Sequence, residues 1–219
     1  MRRLWHDRRR RRDASPAAAS SARPTAVSSF PRAVQIDPAT GLLAGVTQVL
    51  SPHCDARPPG VQPELIVIHG ISLPPGQFGG PWIDRLFTAN IPTDAPAALS
   101  DVAHLRVSAH VLVRRDGGLR QYVRFGQRAW HAGRSQYRGR EACNDFSIGV
   151  ELEGTDLTPY TDAQYESLAA LVAGLLAAYP SLSSEHIAGH SDIAPGRKTD
   201  PGPSFDWGRW RGALAGRLS

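Results

Sequence analysis

The chain has 219 residues and a mass of 23.7 kDa, enough for one domain with a full core; 41% apolar and 21% charged residues suit a globular protein. Its longest apolar stretch, Leu168 to Tyr179, is broken by Gly174 and falls short of the roughly 18 residues of a membrane span, which excludes an expected membrane-spanning helix. The net charge of +5 sits in a tail: residues 1–32 hold nine arginines against Asp7 and Asp13, while the remainder carries 16 basic and 18 acidic residues. A specific nucleic-acid partner is therefore not expected, since a basic tail binds polyanions without a recognition surface.

Taken in order, residues 1–32 are rich in Arg, Ala, Ser and Pro and read as a disordered tail, with a single folded domain over 33–219. Leu65 to His69 reads as a buried strand. The Pro- and Gly-rich stretch Leu73 to Pro81 is a predicted loop, and Trp82 to Phe87 a predicted helix. Val107 to Arg114, the turn Asp116-Gly117-Gly118 and Leu119 to Arg124 form a predicted hairpin, and Phe146 to Glu153 a further strand. Thr161 and Gln164 make a capping box ahead of a helix whose apolar face carries Tyr165, Leu168, Val172, Leu175 and Tyr179, ended by Pro180. A last helix is predicted from about Phe205 to Leu214. The expected fold is a single α/β domain with a central mixed β-sheet flanked by helices.

Two cysteines, Cys54 and Cys143, form no disulfide framework and suit a reducing compartment. No 7–15-residue apolar segment follows the basic start, so no secretory signal is read there and cytoplasmic residence is expected. Lys198 is the only lysine among 25 cationic residues. Arginine cannot supply a compact ammonium of tunable pKa, so a lone lysine points to chemistry.

Alternation along Ile148 to Glu153 turns Ile148, Val150 and Leu152 to one face and Glu151 and Glu153 to the other. Paired carboxylates on one face need water or a cation nearby. His69 ends a buried strand, and the Gly189-to-Pro203 segment packs His190, Asp192, Lys198 and Asp200 among three prolines. Two histidines and a carboxylate make a three-ligand zinc set with an open fourth position, the mark of a catalytic site. Spacing alone leaves other pairings open among eight histidines and both aspartates of the segment. Cys143 reads as a packed thiol and His110 as a structural residue.

Several strings carry a resemblance. They are Val67-Ile68-His69, Ile71 through Ile83, His104 through His110, Trp130-His131-Ala132-Gly133, Asn144 through Asp156, and His190 through Pro203. Together, over roughly Pro52 to Trp210, they resemble the cytoplasmic anhydro-muramyl-peptide amidases of bacterial cell-wall recycling, in the superfamily of type 2 amidases and peptidoglycan recognition proteins. The resemblance implies that His69, His190 and Asp200 hold Zn2+, with Glu151 the catalytic glutamate and Lys198 the catalytic lysine. Arg106 and Trp130 fall where the family contacts a muramyl-peptide, and His131 beside Trp130 is expected in the same cleft. The implied reaction hydrolyses the amide between 1,6-anhydro-N-acetylmuramic acid and L-alanine, in peptidoglycan recycling. The implied partner is a small muropeptide, and a monomer is the expected form. An exported amidase acting on intact peptidoglycan and a non-catalytic binding module are the alternatives. Two positions depart from the family pattern, Gly70 in place of Asn and Ala142 in place of Arg. A catalytic Tyr used elsewhere in the superfamily is replaced by Ala109, which leaves the base role to Glu151.

Overall fold

The computed structural model describes residues 33–219; the tail read as disordered lies outside the described residues. The strands are β1 (Ile36–Asp37), β2 (Leu42–Leu43), β3 (Thr47–Gln48), β4 (Cys54–Ala56), β5 (Leu65–Ile71), β6 (Val111–Val113), β7 (Leu119–Gln121), β8 (Gln127–Ala129), β9 (Gln136–Tyr137), β10 (Arg140–Glu141), β11 (Ser147–Glu153) and β12 (Ile187–Gly189). The helices are α1 (Trp82–Phe87), α2 (Asp162–Ala178), α3 (His190–Ile193) and α4 (Trp207–Leu218).

Six strands form the central sheet in the order β12-β5-β11-β6-β7-β3. The β12, β5, β11 and β6 neighbours run parallel, and β7 turns back antiparallel to β6. The sheet is mixed, as expected. The two long central strands β5 and β11 are apolar enough to be buried on both faces, which a parallel centre requires.

Strand alternation then sorts the core. Ile66, Ile68, Ile148, Val150 and Leu152 face α2 and α4, meeting Leu168, Leu171, Val172, Trp210 and Leu214. Leu65 and Val67 face the other way onto Phe146, Cys143 and Ile193. Farther along that side, α1 contributes Ile83, Leu86 and Phe87 to a second cluster with Leu112 and Tyr122.

Thr161 caps α2 as its spacing predicts: its Oγ1 accepts from the Gln164 amide at 3.1 Å, and Gln164 Oε1 accepts from the Thr161 amide at 3.0 Å. The Gln164 side-chain amide goes on to donate to the Glu153 carbonyl at 2.9 Å, fixing the helix start to the end of β11. Tyr160 and Tyr165 meet as the apolar pair that flanks such a cap.

Two predicted elements change. The first hairpin strand is confined to Val111–Val113, because the chain switches partners just before it. The Ser108 amide bonds Trp130, the His110 amide bonds Gly149, and the Tyr122 and Val123 amides both converge on the His110 carbonyl. The last helix begins at Trp207, where the Asp206 carboxylate accepts from the Arg209 amide, and runs on to Leu218. β12 and α3 went unread in the sequence.

Candidate metal centre and catalytic site

β5, β11 and β12 deliver the site residues to one level of the sheet. His69 is on β5, and its register partner on β11 is Glu151. β12 ends at Gly189, so His190 opens α3 at the sheet's edge of the same cleft. Asp192, a weighed alternative ligand, instead accepts from the Gly189 amide at 2.7 Å and holds that turn. The loop after α3 brings back Asp200, whose carbonyl accepts from the Ser191 amide at 2.9 Å.

Three polar atoms converge there. His69 Nδ1 and His190 Nδ1 are 3.0 Å apart, and Asp200 Oδ2 is 3.2 Å from the first and 3.1 Å from the second. Two imidazole nitrogens facing each other with a carboxylate oxygen present lone pairs to a common point. A tetrahedral zinc ion with bonds of about 2.0–2.2 Å has ligand–ligand edges of about 3.3–3.5 Å, so this triangle fits such an ion with little adjustment. Among the described residues this is the cluster whose donor atoms fit a metal.

Protonation suits the same use. Burial lowers the pKa of His69 to about 4, against the pull of the Asp200 carboxylate, so the ring is neutral at pH 7. Burial acts to raise Asp200, but the adjoining His190 and His69 rings hold it well below the usual carboxylate range. A metal needs ligands in these forms.

Glu151 is buried, and its Oε2 has no hydrogen-bond partner. Burial and then the Asp200 charge push its pKa well above the usual range, with Lys198 opposing. An unpartnered buried carboxyl is costly, and such groups concentrate at functional sites. Glu153, two residues on, is fully engaged. It accepts from the Gly79 amide at 2.9 Å and the Arg115 amide at 3.1 Å, tying the Pro-rich loop and the hairpin to β11. One of the two carboxylates is bound into the fold, and the other has an oxygen without a partner.

Lys198 is exposed and lines an open cleft of ≈ 680 Å³ with Gly70, Ser72, Gly154, Asp156 and Asp200. Arg106 and Trp130 lie together, the guanidinium 5.3 Å from the indole centroid. The indole N–H donates to Asp55 Oδ1 at 3.1 Å, and His53 stacks on the ring. His131, expected in the same cleft, turns its ring inward. Its Nδ1 is 2.9 Å from His69 Nε2 and its Nε2 is 3.1 Å from Ser147 Oγ, so both ring nitrogens are engaged inside the protein. Its ring fills the space beside Gly149, where a Cβ would lie within 2.6 Å of its Cδ2 and Nδ1.

Tyr160 was not singled out in the sequence. Its hydroxyl donates to the Pro201 carbonyl at 2.9 Å, next to Asp200, and it occupies the volume that any side chain at Gly70 would enter. The hydrophobic residue ahead of the Thr161 cap was the signal available. Cys143 is buried and free, its thiol pushed up by burial.

Residues 59–203 match the family described as N-acetylmuramoyl-L-alanine amidase. The chain belongs to that amidase family. Within the family it is 61% identical over 171 residues to the 1,6-anhydro-N-acetylmuramyl-L-alanine amidase AmpD of Escherichia coli, covering 78% of this chain and 93% of that one. A crystal structure of a selenomethionine AmpD derivative superposes with a TM-score of 0.78 at 58% identity, over 82% of this chain and 98% of that one. The amidase AmiD of E. coli, in complex with anhydro-N-acetylmuramic acid-L-Ala-D-γ-Glu-L-Lys, gives a TM-score of 0.51 at 27% identity, over 84% of this chain and 66% of that one. The central mixed sheet flanked by helices is the amidase fold that the sequence implied. Among the described residues no helix is long and apolar enough to cross a membrane.

Proposed function

We propose that this chain is a zinc-dependent cytoplasmic amidase of peptidoglycan recycling, which cleaves the amide between 1,6-anhydro-N-acetylmuramic acid and L-alanine in soluble muropeptides. The observation that carries the reading is the convergence of His69 Nδ1, His190 Nδ1 and Asp200 Oδ2 within 3.2 Å of one another, beside the unpartnered Glu151. The substrate follows two AmpD relatives, whose names specify it, at 59% and 61% identity over about four-fifths of the chain.

Zinc held by these ligands would supply a Lewis acid and lower the pKa of water from 15.7 towards about 7. Glu151 takes the proton of the attacking water as the oxygen bonds to the carbonyl carbon. It then returns that proton to the alanine nitrogen as the C–N bond breaks. Its raised pKa suits both halves of the transfer, because a stronger base becomes a competent acid at neutral pH. Lys198 lines the cleft wall with Asp200, and its ammonium would stabilise the oxygen that gains negative charge. Arg106 and Trp130 offer a cation and an aromatic face to the muramyl-peptide.

A non-catalytic binding module has no use for an unpartnered buried Glu151 or for a lone lysine in the cleft. The deciding experiment incubates purified protein with anhydro-muropeptide and, separately, with sacculi, with and without chelator, and follows free stem peptide by mass spectrometry. Release from the soluble substrate that chelator abolishes and zinc restores is expected. Release only from sacculi, or none, overturns the reading.

A further inference from the structure

The two histidine ligands both present Nδ1, and what fixes them is a dipeptide outside the ligand set. His190 Nε2 faces the Ala132 carbonyl at 3.3 Å; a carbonyl only accepts, so Nε2 carries the hydrogen and Nδ1 keeps its lone pair. His69 Nε2 faces His131 Nδ1 at 2.9 Å, and His131 Nε2 faces Ser147 Oγ at 3.1 Å. A proton on His69 Nε2 completes that chain, with His131 donating onward to Ser147. Neighbouring residues therefore orient both ligands, one through its side chain and the other through its carbonyl.

The two amides of the dipeptide are held at one point, while the Ala132 carbonyl also accepts from the Arg197 guanidinium at 2.7 Å. The His131 and Ala132 amides both donate to Asn144 Oδ1, at 3.1 and 2.8 Å. Asn144 belongs to the short turn Cys143–Asp145, and its own carbonyl and that of Asp145 accept from the Arg57 guanidinium at 3.3 and 2.9 Å. The missing side chain at Gly149 leaves room for the His131 ring.

We infer that Asn144 is a positioning residue of the metal centre: its amide oxygen clamps His131 and Ala132 so that His69 and His190 are both locked with Nδ1 turned towards Asp200. It rests on reading His69, His190 and Asp200 as metal ligands. Groups that orient ligands in this way change metal affinity by about 10–100-fold when removed.

The test uses the full chain and two readouts. Zinc affinity is measured by chelator competition, and histidine tautomers by long-range ¹H–¹⁵N NMR of the metal-free protein. Asn144→Ala is expected to bind zinc about 10–100-fold more weakly and to show mixed tautomers at His69 and His190. Asn144→Asp keeps an acceptor for both amides and is expected to restore affinity to within about threefold, whereas Asn144→Leu fills the same space with no acceptor and is expected to stay as weak as Asn144→Ala. Where Asn144→Ala fails to fold, Ser147→Ala is the second variant, expected to mix the tautomers of His131 and His69 while leaving His190 fixed. Wild-type affinity and single tautomers in a folded Asn144→Ala chain, or in Ser147→Ala, overturn the inference. Failure of the metal reading looks different: the wild-type chain then binds zinc no better than His69→Ala does.

Discussion

Glu151 stands directly opposite His69 in the parallel pairing of β11 with β5. The two side chains therefore leave the same level of the sheet on the same face, and in the proposed mechanism one offers a lone pair to a metal and the other a carboxyl to a proton. Separating these duties predicts separable defects. Glu151→Gln preserves shape and is expected to retain a full equivalent of zinc while kcat falls about 10²–10⁴-fold. Elemental analysis beside turnover on anhydro-muropeptide checks it, and near-normal turnover removes Glu151 from the reaction.

Lys198 is the one ammonium the chain retains, and it reaches the cleft from an exposed loop. In the proposed mechanism its work is electrostatic, so Lys198→Ala is expected to lower kcat about 10²–10³-fold with zinc binding unchanged. Lys198→Arg is the sharper comparison. The planar fork keeps the charge but not the compact geometry, and is expected to recover less than a tenth of the loss. Full recovery in the arginine variant would mean that only net charge matters at this position.

Gly174 sits inside α2 for a reason outside the helix. The N-terminal segment crosses it there: the Val34 amide donates to the Ala170 carbonyl at 3.2 Å, and a Cβ on Gly174 would collide with the Val34 carbonyl oxygen. In α4, Gly212 has nothing within 4 Å of its Cβ position. The same substitution is thus expected to change sign between the helices. Gly212→Ala gains about 0.5–1 kcal/mol from helix propensity, and Gly174→Ala loses about 1–3 kcal/mol from overpacking. Urea midpoints of the two variants decide it, and a stabilised Gly174→Ala chain would show that residues 33–36 do not cross α2 there.

The same contrast explains what was legible in the sequence. β5, β11, α1 and the capped start of α2 were readable because their signals are local: apolar runs, an alternation, a Thr161–Gln164 box. β12 is three residues long and is a strand only because β5 lies beside it. The ligand set was reached through resemblance, since His69 and Asp200 are 131 positions apart and no periodicity joins them. His131 shows the limit most clearly. Adjacency to Trp130 put it in the cleft, but its direction is set by the empty side of Gly149 on another strand. Asn144 and Tyr160 escaped notice for the same reason, as each acts through a backbone carbonyl or amide distant in sequence.

His110 offers a pH test away from the ligands. Its Nδ1 accepts from the Gly149 amide at 3.0 Å, its Nε2 lies 3.1 Å from the Gln127 carbonyl, and the Arg57 guanidinium is 3.3 Å from that same nitrogen. Burial, and then the Arg57 charge, lower its pKa to about 3. The ordinary value in an unfolded chain is about 6.5. Between these values the unfolded chain binds a proton that the folded chain refuses, so stability rises with pH across the window. The contribution is complete above pH 6.5 and is lost as pH falls towards 3, at up to about 1.4 kcal/mol per pH unit. His110→Asn keeps an acceptor for Gly149 and removes the titrating group. It is expected to start less stable than the wild type at pH 7 but to lose less on acidification, so that the two unfolding free energies converge between pH 6.5 and 4. Parallel curves over that range would show that His110 is not held neutral by the fold.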